Sequence, residues 1–498
     1  MSVKPPTAED IRELARESHF ELSAGELDAL VQAVRAQIPV LERVDAFTAD
    51  ISPSVARYPQ RDAGAPMLRK DDPLNAVVRK CHVAGAPSGK LKGKRVGLKD
   101  SVCVAGIPAS GGSHVLQGYT ADMDATIVTR MLDAGAEVVA MLNMDDFALS
   151  GNGKTCACGP TLNPVNPEYC SGGSSSGSAA ALGYDWIDAT IGTDQGGSIR
   201  IPSSWSGVVG IKPTYSLVPY TGVMSIDPSL DHVGPMTKNV RDCALMLEVL
   251  AGKDPLDPRQ QEVPVERYTE LLDRGVKGLR LGILREGFGH PGAEADVNDC
   301  VRKAAAVLEK LGATMQELSI PEHRDASDLL FAIAPEGMMR LGDTALQSVH
   351  FNGIYNPSLA DFFTANLPSR ASREALTVKL MFVLGRFAAR RFNGRLYAKA
   401  QNYRPRLRAP YDDALKLCDA LLMPTTPMKA PRQDSEAAYS MITNTAPFNI
   451  TGHPGLSIPC AMSRGLPVGL MLIGGHFDDA TLLRIGYAYE QSVEWWKA

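Results

Sequence analysis

Two clusters of glycine and serine carry most of the chemical signal in this sequence. The first is Ser171-Gly172-Gly173-Ser174-Ser175-Ser176-Gly177-Ser178-Ala179-Ala180-Ala181, and the second is Gly192-Thr193-Asp194-Gln195-Gly196-Gly197-Ser198-Ile199-Arg200. A flexible linker has such a composition, but both clusters are flanked by apolar residues and lie inside an alternating strand and helix pattern. A phosphate loop fits the outer glycines, Gly172 and Gly177, yet Ser178 stands where the phosphate-binding lysine belongs. Gly173-Ser174-Ser175-Ser176-Gly177 formally matches a nucleophile elbow. Its lead-in, Asn163-Pro164-Val165-Asn166-Pro167-Glu168-Tyr169-Cys170, is a poor strand, and nothing singles out His232, His290 or His323 as a partner base. The remaining reading joins a serine of each cluster to Lys99, which ends the apolar segment Val96-Gly97-Leu98 and precedes Asp100. A hydroxyl needs a neighbouring base to become a nucleophile. Lysine serves as that base only when neutral, and burial lowers its pKa from an ordinary value of about 10.4.

With Lys99 included, the chain resembles the amidase signature family. The resemblance rests on the stretch from Gly172 through Ile199-Arg200, with Ser174 and Ser198 24 residues apart, and on Gly97-Leu98-Lys99-Asp100. It also rests on Gly159-Pro160-Thr161-Leu162-Asn163-Pro164, Gly207-Val208-Val209-Gly210-Ile211-Lys212-Pro213-Thr214 and Leu230-Asp231-His232-Val233-Gly234-Pro235. It resumes at Pro454-Gly455-Leu456-Ser457-Ile458-Pro459 and Gly465-Leu466-Pro467-Val468-Gly469-Leu470, so it covers roughly residues 75 to 490. It implies a Ser–Ser–Lys triad with Ser198 as nucleophile, Ser174 as bridging serine and Lys99 as base, and a cis peptide bond between Gly173 and Ser174. It implies no metal and no cofactor.

Attack on an amide carbonyl creates an oxyanion, and the successive backbone N–H groups of Gln195, Gly196 and Gly197 are placed to converge on it. Asp194 and Arg200 flank the nucleophile and are expected to form a structural ion pair or hydrogen bonds. Phe147 and Trp205 adjoin the motif segments and are taken as candidates to line a substrate pocket. Cys156, Cys158 and Cys170 lack metal-ligand spacing, and His232 and His453 are expected to be structural hydrogen-bonding groups.

The elements that must hold these residues alternate. Arg95-Val96-Gly97-Leu98, Ala136 to Met141, Ala189-Thr190-Ile191, Leu279 to Leu284, Thr314 to Leu318 and Ala420 to Met423 read as strands. Asp124 to Leu132 reads as a helix. Val297, Val301, Ala304, Leu308 and Leu311 line one face of another, with Gly312 at C′. This predicts an α/β fold, and the resemblance implies a central mixed, twisted sheet covered by helices on both faces. Residues 1–75 are expected to form an N-terminal helical arm, a packing or dimerisation element. Thr7 caps its first helix, and its second runs from about Ala24 to Phe47 with Leu27, Leu30, Val31, Val34 and Ile38 on one face. The proline-marked stretch 49–90 reads as loop. Residues 76–498 form the expected catalytic domain, with a mostly helical subregion at about 325–420. Within it, Lys379, Arg386, Arg390, Arg391, Arg395, Lys399, Arg404, Arg406 and Arg408 follow one another without an acidic residue, interleaved with Phe382, Phe387, Phe392 and Tyr397. A nucleic-acid surface and an amphipathic helix paired with acidic neighbours both fit such a run, and the second is expected.

Composition narrows the class further. The 498 residues carry 51 Lys and Arg against 56 Asp and Glu, a net charge of −5, which argues against nucleic acid as the main partner and against disorder. No apolar run is long enough to span a membrane. The start, Met1-Ser2-Val3-Lys4-Pro5-Pro6, shows no signal-peptide core, and nine cysteines in so long a chain exclude a disulfide scaffold. The expected setting is the cytoplasm. The expected function is hydrolysis of linear amide C–N bonds in small aliphatic or aryl amides through an acyl-serine, by a homodimer. Carbamates, hydrazides and ureas are alternative substrates. The catalytic component of a tRNA-dependent amidotransferase is a further alternative, but such proteins resemble Tyr-Gly-Arg-Val-Ser-Arg-Tyr-Gly after the Lys-Pro-Thr motif. This chain has Tyr215-Ser216-Leu217-Val218-Pro219-Tyr220-Thr221-Gly222, without either arginine.

Overall fold

The computed structural model describes residues 4–47, 57–347, 353–435 and 439–497. The chain divides into two units, Met1–Pro53 and Ser54–Ala498. The first contains two helices, Ala8–Glu17 and Ala24–Asp45. Each starts in a reciprocal capping box, Thr7 with Asp10 and Ser23 with Glu26, which satisfies N–H groups that a helix end leaves open. Ile11, Leu27 and Val31 form their shared core.

The second unit is built on a twelve-stranded mixed sheet among the described residues. Its strands are β1 Arg61–Pro66, β2 Val77–Ala84, β3 Arg95–Lys99, β4 Glu137–Leu142, β5 Ala189–Asp194 and β6 Val209–Lys212. They continue with β7 His232–Thr237, β8 Arg280–Leu284, β9 Thr314–Leu318, β10 Ala420–Pro424, β11 Gly455–Ser463 and β12 Leu466–Ile473. Their order across the sheet is β1-β2-β4-β3-β5-β7-β6-β11-β12-β10-β8-β9. The central strands are buried on both faces, as expected of strands covered by helices on either side. β3 runs parallel to both β4 and β5, with Leu98 opposite Met141 on one side and Ile191 on the other. The ends of β3 and β5 therefore emerge at the same edge, which brings Lys99 beside Thr193 and Asp194.

Two strands, β1 and β2, lie in the stretch expected to be loop, so the sheet begins before residue 76 and inside the range assigned to the arm. β1 is an edge strand interrupted at Gly64 and ended by Pro66, and β2 alternates Arg79, Lys80 and His82 with its apolar positions. The edge strand β1 and β2 beside it both lack the apolar run of a central strand. The second helix of the arm ends at Asp45 rather than Phe47, and Pro53 lies outside the described residues.

Between β9 and β10 stand the helices Ala326–Asp343, Pro357–Arg370, Leu376–Phe392 and Arg395–Leu417. Much of the basic run is satisfied within the molecule. Arg386 pairs with Asp343, Arg408 with Asp412, and Arg404 donates inward to the carbonyls of Ile450 and Ser229.

Candidate active site

Lys99 is completely buried, and its Nζ lies 2.7 Å from Ser174 Oγ and 2.8 Å from Thr193 Oγ1. Burial pulls its pKa down to about 7, against the pull of the Asp145 and Asp194 carboxylates, which favour the charged form. The Gly173–Ser174 peptide bond is cis. The turn there is tight: a Cβ on Gly173 would sit 2.0 Å from Asp145 Oδ2. Asp145 holds this turn. Its N–H donates to the Ser174 carbonyl at 3.1 Å, and its carboxylate accepts from the N–H groups of Gly153 and Thr155 and from the Thr155 hydroxyl. The two serine clusters are also joined directly, because the Ser175 N–H donates to the Ser198 carbonyl at 3.2 Å.

Ser198 precedes the short helix Arg200–Ser206 and retains 8% exposure, whereas Ser174 and Lys99 have none. Ser198 is thus the member of the three that faces open space. Asp194 organises its loop. Its Oδ1 accepts the Gly197 N–H at 2.8 Å, its Oδ2 accepts the Ile199 N–H at 3.1 Å, and Arg200 grips both oxygens at 2.9 and 3.0 Å. Burial alone would raise the carboxyl's pKa, but the Arg200 guanidinium outweighs it and holds the group well below the usual carboxylate range. This is the structural ion pair expected from the sequence, buried on both sides.

The same geometry corrects the expected donor set. Gly197 points its N–H at Asp194, so it is not available to a substrate oxygen. The N–H groups of Gln195, Gly196 and Ser198 donate to no protein group among the described residues. Thr445 Oγ1 donates to the Gly196 carbonyl at 2.6 Å and fixes that peptide's orientation. Asn449 donates to both the Asp194 carbonyl and its Oδ1 at 2.8 Å.

Ser198, Gln195 and Gly196 open into a cavity of about 500 Å³. Ile201, Ile226, Leu330, Phe331, Met381 and Met441 form much of its wall, and Lys154 is its one charged lining side chain among the described residues. Neither aromatic residue singled out in the sequence lines this space. Phe147 stands at a left-handed backbone position, φ 47°, and lines a separate cavity of about 150 Å³ together with Tyr220 and Met224. Trp205 is core: its indole donates to Thr426 Oγ1 and the Met428 carbonyl, and its ring packs behind Ile201 and Met441. Sequence adjacency to a motif does not determine which side of a turn a ring takes. Asp145, Thr193, Thr445 and Asn449 are the site residues that sequence reasoning missed. Thr193 sits in the second cluster, and Thr445 lies in the Asn444-Thr445-Ala446-Pro447-Phe448 segment, but no spacing rule marks either.

A family model described as Amidase matches residues 75–483. An enantioselective amidase of Rhodococcus rhodochrous is 38% identical, over 99% of this chain and 96% of its own length. One component of the glutamyl-tRNA(Gln) amidotransferase of Moorella thermoacetica is 35% identical, over 96% of this chain and 97% of its own. Among solved structures, the native peptide amidase of Stenotrophomonas maltophilia superposes with a TM-score of 0.69 at 30% identity, covering 81% of this chain and 83% of that one. The fold is that of amidase-signature enzymes. The chain belongs to the amidase signature family.

Proposed function

We propose that this chain hydrolyses linear amide C–N bonds through an acyl intermediate on Ser198. The observation that carries this reading is the buried Lys99 Nζ, 2.7 Å from Ser174 Oγ, with its pKa lowered to about 7. In the neutral state Nζ takes the Ser174 proton while Ser174 Oγ takes that of Ser198. The Ser198 oxygen then bonds to the carbonyl carbon. The oxyanion is met by the unengaged N–H groups of Gln195, Gly196 and Ser198. As the C–N bond breaks, the proton returns through Ser174 to the departing nitrogen, leaving amine or ammonia and the acyl-serine. Water, deprotonated along the same route, cleaves the ester and releases the carboxylic acid.

The cavity favours neutral, apolar substrates. Its walls are mainly aliphatic, methionine and phenylalanine side chains, and no carboxylate lines it among the described residues. We therefore place aryl and branched aliphatic carboxamides ahead of charged ones. The experiment is to purify the chain alone and measure amine release from benzamide, isobutyramide, acetamide and a charged amide such as glutamine. Robust turnover of the first two supports the reading. Activity that appears only with added partner proteins and a charged tRNA would favour an amidotransferase role, that of several relatives.

A further inference from the structure

Asp412, His453 and His476 meet from three separate segments: the helix Arg395–Leu417, the turn before β11 and the loop after β12. One donor atom from each lies within 4.8 Å of the other two. His453 is buried, with Nε2 3.0 Å from Asp412 Oδ1 and Nδ1 2.9 Å from Thr451 Oγ1. The His453 and His476 rings are 4.4 Å apart, centre to centre. The Nε2 of His476 is shielded from solvent and has no hydrogen-bond partner among the described residues. A shielded ring nitrogen without a partner is costly and calls for an explanation.

We infer that these three residues form a binding site for one divalent transition-metal ion, with zinc the best match. Two imidazoles and a carboxylate suit a borderline cation, whereas calcium and magnesium require mostly oxygen donors. The supporting groups fit the same assignment. Thr451 Oγ1 can accept the proton on His453 Nδ1, which leaves the Nε2 lone pair for the ion. Arg408 Nε engages Asp412 Oδ2 at 3.0 Å and leaves Oδ1 for it. The ion replaces the proton shared between His453 and Asp412, and a water completes four-coordination. None of the three ligands lines the Ser198 cavity, so the site is structural. It fastens the helix Arg395–Leu417 to the loops at the ends of β11 and β12. That helix packs on Ala326–Asp343, which supplies Leu330, Phe331 and Ala334 of the cavity wall.

The test uses the full chain carrying Cys156→Ser and Cys158→Ser, so that the adjacent Cys156–Cys158 pair, which includes the exposed thiol, cannot contribute. The chelator-treated protein is titrated with Co²⁺ and Zn²⁺ and followed by visible absorption, competition with a chromophoric chelator and melting temperature. The expected result is one equivalent bound, d–d bands without thiolate charge transfer, and a melting temperature raised by zinc but not by magnesium. His476→Gln and His453→Gln each remove the bands and the thermal shift, and Thr451→Val weakens binding about tenfold. Amide hydrolysis by His476→Gln, measured alongside, stays at the parent level and shows that this variant is folded. Absence of a bound equivalent at micromolar zinc, or binding that survives in both histidine variants, overturns the assignment.

Discussion

Lys99 Nζ is hydrogen-bonded to Ser174 Oγ at 2.7 Å in a place that solvent does not reach. Burial opposes the ammonium form there, while Asp145 and Asp194 partly restore it, leaving a pKa of about 7. The proton relay needs the neutral amine. kcat/KM for a neutral amide is therefore expected to fall about tenfold per pH unit below about pH 7 and to level off above it. A profile measured with benzamide from roughly pH 5 to 9 checks this. A flat profile, or a limb that descends above neutrality, would count against Lys99 as the base.

The same burial carries a stability cost. The folded pKa of Lys99 lies below its ordinary value of 10.5, so the unfolded chain binds more protons between those limits and stability gains from this group as pH rises from about 7 toward 10.5. Lys99→Met should abolish hydrolysis yet melt no lower than the parent at pH 7, with any advantage narrowing as pH rises. Thermal melts of both proteins at several pH values decide the point. A variant destabilised by more than about 2 kcal/mol at pH 7 would contradict it.

Asp194 and Arg200 are paired without solvent contact, and the carboxylate also caps the N–H groups of Gly197 and Ile199. Asp194→Asn leaves the guanidinium buried and uncompensated, a loss of about 3–5 kcal/mol. The double variant Asp194→Asn with Arg200→Met should recover part of it. Because the folded pKa of Asp194 is depressed, its contribution is present above the ordinary carboxylate value and is lost only as pH falls toward the folded value. Urea denaturation of the single and double variants tests the pair. Equal stability of Asp194→Asn and the parent would refute it.

Thr445 reaches the loop of the nucleophile from outside the signature stretch, holding the Gly196 carbonyl at 2.6 Å. Thr445→Val removes the tether and should lower kcat roughly tenfold with little change in KM, because the loop it anchors carries the neighbouring Gly196 and Ser198 N–H groups, which matter most as charge develops. Thr445→Ser should restore the rate. A KM effect without a kcat effect would instead assign Thr445 to substrate binding.

The strands β3, β4, β5, β8 and β10 were legible because they are short apolar runs between turn signals, the helix through Val297 and Leu308 because its period is plain, and β9 because it follows that helix directly after Gly312. β1 and β2 were not, since the edge strand β1 and its neighbour β2 carry charged, glycine and proline positions that look like loop. At the site, Lys99, Ser174 and Ser198 stood out through motif context. Asp145 and Thr445 did not, because their roles come from chain crossings distant in sequence. The assignment of Gly197 failed for a related reason: adjacency places its N–H near the nucleophile, but only the fold shows that Asp194 already occupies it.

Ser198 is the proposed carrier of the acyl group. The direct measurement is rapid acid quenching of the enzyme during turnover of an activated aryl amide, followed by peptide mapping by mass spectrometry. The expected result is an aroyl adduct on the peptide containing Ser198, absent in Ser198→Ala and formed more slowly in Lys99→Ala at pH 6. An adduct on any other residue, or turnover by Ser198→Ala near the parent rate, would contradict it.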